Sequence, residues 1–373
     1  MLILAENQRM KIADVVKYLE SIAPPYLQES YDNSGLLTGD MEDEIRGVLI
    51  CLDSTEDVIQ EAIDTNCNLV VAHHPIVFSG LKKITGKNYV ERVIIKAIKN
   101  NIAIFACHTN LDNVQSGVNA KICEKLGLKN IRILQPKENL LKKLVTFCPV
   151  EHAEKVRDAM FQAGAGQIGE YDLCSFNVEG KGTFRASEHA NPFVGAKGEM
   201  HEEKEIRIEL ILPAYIEKQV LKALRDAHPY EEVAYYMTSI SNPNQMVGSG
   251  MVGELQEPMD ELVFLHYVKT SMKSGHIRHS PLLGRKVKHI AVCGGAGSFL
   301  LPQALHAGAD VFVTADYKYH QFFDADGKTI IADIGHYESE QFTKDLFYEL
   351  ITKKFNTFAV RLSEINTNPV NYL

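Results

Sequence analysis

An α/β body interrupted by a second module is the fold class that the 373-residue sequence predicts, on three observations. A strand-helix-strand unit near the start and another near the end share one spacing, with 22 residues from Cys51 to His73 and 22 from Cys293 to Ala315. The stretch between them alternates strands and helices in a different order. The length exceeds the roughly 100–200 residues of a single domain.

The first unit opens at Gly47 with the strand V-L-I-C-L, continues as a helix from Thr55 to Asp64, and returns in the strand L-V-V-A ending at His73 and His74. A helix follows from Tyr89 to Lys99, with Val90, Val93, Ile94 and Ile98 on one stripe, and then the strand I-A-I-F-A runs into C-H-T-N-L-D at 107–112. Unbroken apolar runs of this kind belong to parallel strands buried on both faces. The second unit repeats the order: strand H-I-A-V-C, the turn G-G-A-G-S at 294–298, helix F-L-L-P-Q-A-L-H-A-G, and strand A-D-V-F-V-T-A ending at Asp316. A last strand, T-I-I-A-D-I, delivers G-H-Y-E-S-E at 335–340 into a helix. The equal spacing reads as an internal duplication. Between the units, the order β-α-β-β-α-β is the ferredoxin-like pattern, with L-C-S-F-N-V followed by a glycine-rich loop. Polar, proline-bearing junctions at Q-P-K-E-N and S-N-P-N-Q mark its ends. The expected organisation is therefore residues 1–136 plus 248–373 as a duplicated α/β body, with residues 137–247 as an inserted ferredoxin-like α+β domain.

Composition narrows the function classes. Apolar residues make up 45% and charged residues 23%, which is globular usage, and the 39 basic against 48 acidic residues leave a net charge of −9. Such a chain has no basic field for a nucleic-acid backbone, so nucleic-acid binding is disfavoured. Seven dispersed cysteines without a C-x-x-C pair speak against a disulfide framework or a thiolate zinc site and fit a reducing cytoplasm. The start, M-L-I-L-A-E, is too short an apolar run for a signal-peptide core, and no segment is long and apolar enough to span a bilayer; a soluble, unexported protein is expected.

Open α/β sheets place functional groups beyond the carboxyl ends of their parallel strands. His73 and His74 end one strand, Asp112 follows the next, and His336 and Glu340 follow the last, four residues apart and hence on one face of a helix. Three imidazoles and two carboxylates suit zinc, iron(II) or manganese and exceed what one ion with an open position requires. Two divalent ions bridged by a carboxylate would use all five and would supply an acidified bridging water as nucleophile. Each residue also has a plainer reading: a packing histidine beside an exposed one, an Asx-turn at Asp112, a first-turn helix carboxylate at Glu340. Their conjunction at strand ends favours the metal. His108, Asp316 and His320 occupy similar rim positions and are candidate catalytic groups or proton carriers. The G-G-A-G-S turn would hold an anion on its amides, or be a plain turn with Ser298 capping the helix.

Several motifs together resemble the Nif-three-like family, the GTP cyclohydrolase I type 2 homologues: Y-D-N-S-G-L-L-T-G at 31–39, V-V-A-H-H-P-I-V-F at 70–78, A-C-H-T-N-L-D at 106–112, G-S-G-M-V-G-E-L at 248–255, A-D-V-F-V-T-A-D-Y-K-Y-H at 309–320 and D-I-G-H-Y-E-S-E at 333–340. The resemblance implies a duplicated α/β fold, a dinuclear centre on His73, His74, Asp112, His336 and Glu340, and a toroidal homohexamer. It also implies that residues 137–247 are a PII/CutA-like insert, carried by G-Q-I-G-E-Y-D-L-C-S-F at 166–176, A-N-P-F-V-G at 190–195 and H-P-Y-E-E at 228–232. Thr314-Ala315-Asp316 departs from the family's usual Thr-Gly-Asp or Thr-Gly-Glu. The expected function is a metal-dependent hydrolase acting on a nucleotide-like or phosphate-containing small molecule. The alternative is a non-catalytic metal-binding or regulatory assembly whose insert binds a ligand or partner.

Overall fold

The computed structural model describes residues 9–373; Met1–Gln8, where the absence of a signal-peptide core was read, lie outside the described residues. In chain order the strands are β1 (Gly35–Thr38), β2 (Gly47–Cys51), β3 (Leu69–Ala72), β4 (Ala103–Ala106), β5 (Lys129–Lys137), β6 (Leu141–Pro149), β7 (Phe176–Arg185), β8 (Met200–Pro213), β9 (Tyr235–Ile240), β10 (Asn244–Met259), β11 (Arg278–His279), β12 (Val287–Ala296), β13 (Val311–Ala315), β14 (Ile330–Asp333) and β15 (Ala359–Leu362). The chain divides into two compact units, one made of Met1–Gln135 with Val247–Leu373 and the other of Pro136–Met246.

The first unit holds two sheets, ordered β1-β4-β3-β2-β15 and β11-β14-β13-β12-β10-β5. Both share one plan. Three consecutive strands run parallel, β2-β3-β4 in one and β12-β13-β14 in the other, and an antiparallel strand, β1 or β11, flanks the third. Every residue of β2, β3, β4, β13 and β14 is buried, as unbroken apolar runs in parallel sheets require. The helix Glu56–Asp64 begins where the Thr55 side chain accepts a hydrogen bond from Val58 N, and Tyr89–Lys99 begins where Asn88 accepts from Glu91 N. Their apolar stripes, Val58, Ile59 and Ala62 with Val93, Ile94 and Ala97, close one side of the first sheet over Leu49, Val70 and Ile104.

In the second unit, one antiparallel sheet has the order β7-β8-β6-β9. The helices Ala153–Gln162 and Glu217–Ala227 bury Val156, Met160, Val220 and Leu224 against Leu144, Ile208 and Leu210.

Two local expectations need correction, both at glycines. The segment after Val178, expected as a loop, is strand: β7 continues through Gly180 and Gly182 to Arg185 and pairs with β8 along its whole length. Gly182 is needed for close approach, because a Cβ there would overlap the Glu205 carboxylate. Likewise Gly294 and Gly295 are not in a turn. β12 runs through them to Ala296, and the short 3-10 helix Ser298–Leu300 starts without a side-chain cap. Gly295 has φ +62°, and a Cβ there would lie 2.5 Å from Glu340 Oε1, so this glycine makes room for a carboxylate. No helix among the described residues is long and apolar enough to cross a membrane. All seven cysteines are free thiols.

Candidate metal centre

The carboxyl ends of the parallel strands carry the charged groups. β2 leads to Asp53, β3 to His73 and His74, and β4 to the one-turn helix Thr109–Asp112. In the other sheet β13 leads to Asp316, and β14 leads through Gly335 (φ +95°) into the helix His336–Glu340. On that helix His336 and Glu340, one turn apart, meet at 3.1 Å.

Each imidazole is held from behind. His73 Nδ1 lies 3.0 Å from Cys107 O; a carbonyl only accepts, so Nδ1 carries the proton and Nε2 presents a lone pair. His74 Nδ1 donates to Asp53 Oδ1 at 2.7 Å, His336 Nδ1 to Asp316 Oδ2 at 2.7 Å, and His108 Nδ1 to Asp32 Oδ1 at 2.8 Å. This is the backing that metal-ligating histidines ordinarily have. Glu340, only 3% exposed, lies in front of them: Oε2 accepts from His74 Nε2 at 2.9 Å and faces His336, while Oε1 is 3.8 Å from His73 Nε2.

Ligand atoms fall into overlapping triads within 4.8 Å: His73, Asp112 and Glu340; His74, His336 and Glu340; and His73, His74 and His108. Two buried atoms at the centre, His73 Nε2 and Asp112 Oδ1, have no hydrogen-bond partner, although they stand only 3.6 Å apart. Orphaned buried polar atoms are costly, and a cation between them satisfies both. The donor set therefore fits a divalent metal.

The charges show the same demand for positive charge. Burial opposes protonation of His74, but its bonds to Asp53 and Glu340 prevail and raise it to about 10. The Glu340 charge, against burial, raises His336 to about 11. Burial would raise Glu340, yet His336, His73 and His74 hold it well below the usual carboxylate range. Asp112, buried beside Glu340, is pushed up to about 7. Asp32 is held low despite burial by His108 and Thr109, and Asp316 by its bond to His336. Protons on His74 and His336 thus supply the countercharge that bound cations otherwise provide.

The sequence profile of the Duf34/NIF3 family (NGG1p interacting factor 3) matches residues 10–369. The chain belongs to this family. Among its NIF3 relatives, the "GTP cyclohydrolase 1 type 2 homolog" of Halalkalibacterium halodurans is 39% identical over 98% of this chain and 100% of its own, and the protein of that name from Bacillus subtilis is 37% identical over 96% and 98%. The solved structure of the Bacillus cereus protein related to NIF3 superposes with a TM-score of 0.86 at 38% identity, covering 98% of this chain and 100% of that one.

Set against the sequence reading, His73, His74, Asp112, His336 and Glu340 converge, His108 joins their edge, and Asp316 stands behind His336. His320 does not join them. It is exposed, and its ring contacts are with Tyr319 and Phe323. Sequence reasoning passed over Asp53 and Asp32, the anchors of His74 and His108. Asp53 carried one signal, as a carboxylate two residues beyond a buried strand. A cleft of about 900 Å³ opens beside the cluster, and Asp53, His74, His108, Asp316 and His336 line it with Phe78, Arg278, Tyr337 and Tyr372.

Proposed function

We propose that this protein is a dinuclear metal-dependent hydrolase acting on a small, nucleotide-like or phosphate-bearing molecule. The observation that carries the reading is Glu340, shared by two ligand triads, one with His73 and Asp112 and the other with His74 and His336, with Oε1 toward His73 and Oε2 toward His74 and His336. His73, Asp112 and Glu340 would hold one ion, and His74, His336 and Glu340 the other, with zinc, iron(II) and manganese all suited to the donors. Two such ions would supply Lewis acidity, acidifying a water and polarising the bond to be cleaved.

The chain's own residues do the remaining work. His108, fixed through Nδ1 by Asp32, stands with its ring centroid 5.3 Å from that of His73 and 5.4 Å from that of His74, and is placed to move a proton at the cluster's edge. Asp316 and Asp53 hold the tautomers of His336 and His74. Phe78, Tyr337 and Tyr372 offer flat apolar walls for a ring, and Arg278, half exposed and tethered by Asp333, offers N–H groups to an anion. His320, distant in contact, takes no role in this scheme.

The shared plan of the two sheets supports an internal duplication. The order β-α-β-β-α-β with sheet order β7-β8-β6-β9 supports a ferredoxin-like insert. Free thiols support a cytoplasmic location. A homohexamer is the assembly we infer from the family resemblance; exposed Tyr319 and Phe323 are surface that copies of the chain can cover.

The test combines metal analysis with turnover. Two ions per chain, and metal-dependent conversion of GTP or a member of a nucleotide and phosphoester panel that Asp112→Ala abolishes, are expected. Two ions without turnover of any panel member favour the regulatory reading instead.

A further inference from the structure

We propose that the segment following β15 is a clasp of the metal centre, with Thr367 and Asn368 as positioning residues that fix its two ligand-bearing arms. The inference rests on the dinuclear reading above, since it assigns a role toward those ions. β15 pairs in parallel with β2, and the chain beyond it is pinned at once: Ser363 N donates to Ile50 O at 2.8 Å, and Glu364 N to Glu61 Oε1 at 2.8 Å. It then crosses the wall of the cleft, where Asn368, Pro369, Val370 and Tyr372 all line the cavity.

Two consecutive residues reach different sheets. Thr367 Oγ1 donates to Asp53 Oδ2 at 2.6 Å, while the other oxygen of that carboxylate accepts from His74 Nδ1 at 2.7 Å. Both oxygens of Asp53 are thereby occupied, so the carboxylate cannot rotate away from the imidazole it orients. Asn368 Nδ2 donates to Glu338 Oε1 at 3.0 Å. Glu338 is buried and lies on the helix His336–Glu340, two residues from each of its candidate ligands. Asp53 follows β2 of one sheet, and Glu338 follows β14 of the other. Farther along, the Tyr372 ring packs on His276 with centroids 3.7 Å apart. A loop merely lying on the surface has no reason to donate one hydrogen bond to the anchor of His74 and the next to the helix that carries His336 and Glu340. Partners behind a metal ligand are commonly worth about 10–100-fold in affinity, and Thr367 acts one bond farther out.

The test uses the full chain with Thr367→Val, which keeps the side-chain shape and removes the donor, Thr367→Ser, which restores it, Asn368→Ala, and the Thr367→Val/Asn368→Ala pair. Zinc affinity is read by competition with a chromophoric chelator, and the ligand field by the absorption of the cobalt(II)-substituted protein. The expected result is binding weaker by about 3–10-fold in Thr367→Val, with a changed cobalt spectrum and recovery in Thr367→Ser, and a larger loss in the pair. Thr367→Val at wild-type affinity with an unchanged spectrum overturns the clasp, as does a serine variant no better than valine. Wild-type protein that binds neither zinc nor cobalt refutes the dinuclear reading itself, a result distinct from failure of the clasp alone.

Discussion

Changing Glu340 to glutamine keeps the side chain's shape and removes its charge. In the metal-free protein the carboxylate faces His74 Nε2 at 2.9 Å and His336 Nε2 at 3.1 Å, and it is 3% exposed, so both contacts are charge-assisted and shielded from water. Bonds of this kind contribute about 1.5–3 kcal/mol each. The amide oxygen of glutamine can still accept from one ring, and its nitrogen can donate to the other once that ring has released its proton, which restores about 1 kcal/mol for a neutral bond. The net cost at neutral pH is then about 3 kcal/mol, or about 6–12 °C in the melting temperature of a body this large. With metal the effect is one of stoichiometry. Under the proposed dinuclear arrangement a neutral amide would leave one oxygen where two ions would each require one, so at most one ion is expected to remain. Melting of Glu340→Gln and wild type in excess chelator, and elemental analysis after dialysis against zinc, measure both effects. A variant that melts within about 2 °C of wild type in chelator and still holds two ions would refute the placement of Glu340 at the centre.

Other outcomes follow from the same geometry. Gly295→Ala puts a methyl 2.5 Å from Glu340 Oε1 at a residue with φ +62°, so it is expected to fold with reduced metal content; two ions in the purified variant would contradict this. For pH dependence, His74 and His336 are raised from 6.5 to about 10 and about 11 by their carboxylate partners, so each stabilises the metal-free fold below pH 6.5 and loses that contribution as pH rises through its folded value, while Asp112, raised from 3.8 to about 7 by burial and Glu340, adds a cost as it ionises at lower pH. The chelated protein should therefore melt progressively lower from pH 6.5 toward 10, while the metal-loaded protein, whose ions replace those protons, should not; a flat chelated profile would count against the assignment. Replacing residues 138–243 by a short glycine-containing turn joins β5 to β10, neighbours in one sheet, and should leave metal binding intact because every candidate ligand lies in the first unit. Loss of metal in that protein would place part of the site in the removed residues.

The cluster of candidate ligands is legible because its signal is local. A buried apolar run that ends in His-His, or a strand followed by His-x-x-x-Glu, is visible within ten residues, and the rule that parallel sheets work at their carboxyl ends ranks such endings. Anchors carry no such signal. Asp53 is defined by His74 and Thr367, the latter 314 residues away, and Asp32 by His108, 76 residues away. An aspartate in a loop reads as a turn residue until the fold brings its partner to it. The glycines failed for the reverse reason. Gly182 and Gly295 look like turn punctuation, but each makes room for a carboxylate beside a strand, Glu205 on the paired strand β8 for the one and Glu340 on the helix after β14 for the other, and such a neighbour is visible only once the chain is folded.

One relation lay open in the sequence and gains meaning only with the structure. His108 and Asp112 follow the third parallel strand of one sheet, and His336 and Glu340 follow the third parallel strand of the other, each pair four residues apart, with His108 capping the short helix that ends at Asp112 and His336 opening the one that ends at Glu340. Sequence reading gave the two histidines different roles, although each is held at Nδ1 by an aspartate. What separates them is the carboxylate of their own helix: Glu340 turns back to His336 at 3.1 Å, whereas Asp112 Oδ1 turns to His73 at 3.6 Å. His336 is therefore committed to the carboxylate of its own helix, while His108 stays at the edge of the cluster, held only from behind by Asp32. His108→Gln is accordingly expected to keep its metal and to lose turnover by about 10²–10⁴-fold. A variant that loses an ion instead would make His108 the counterpart of His336 in role as well as in position.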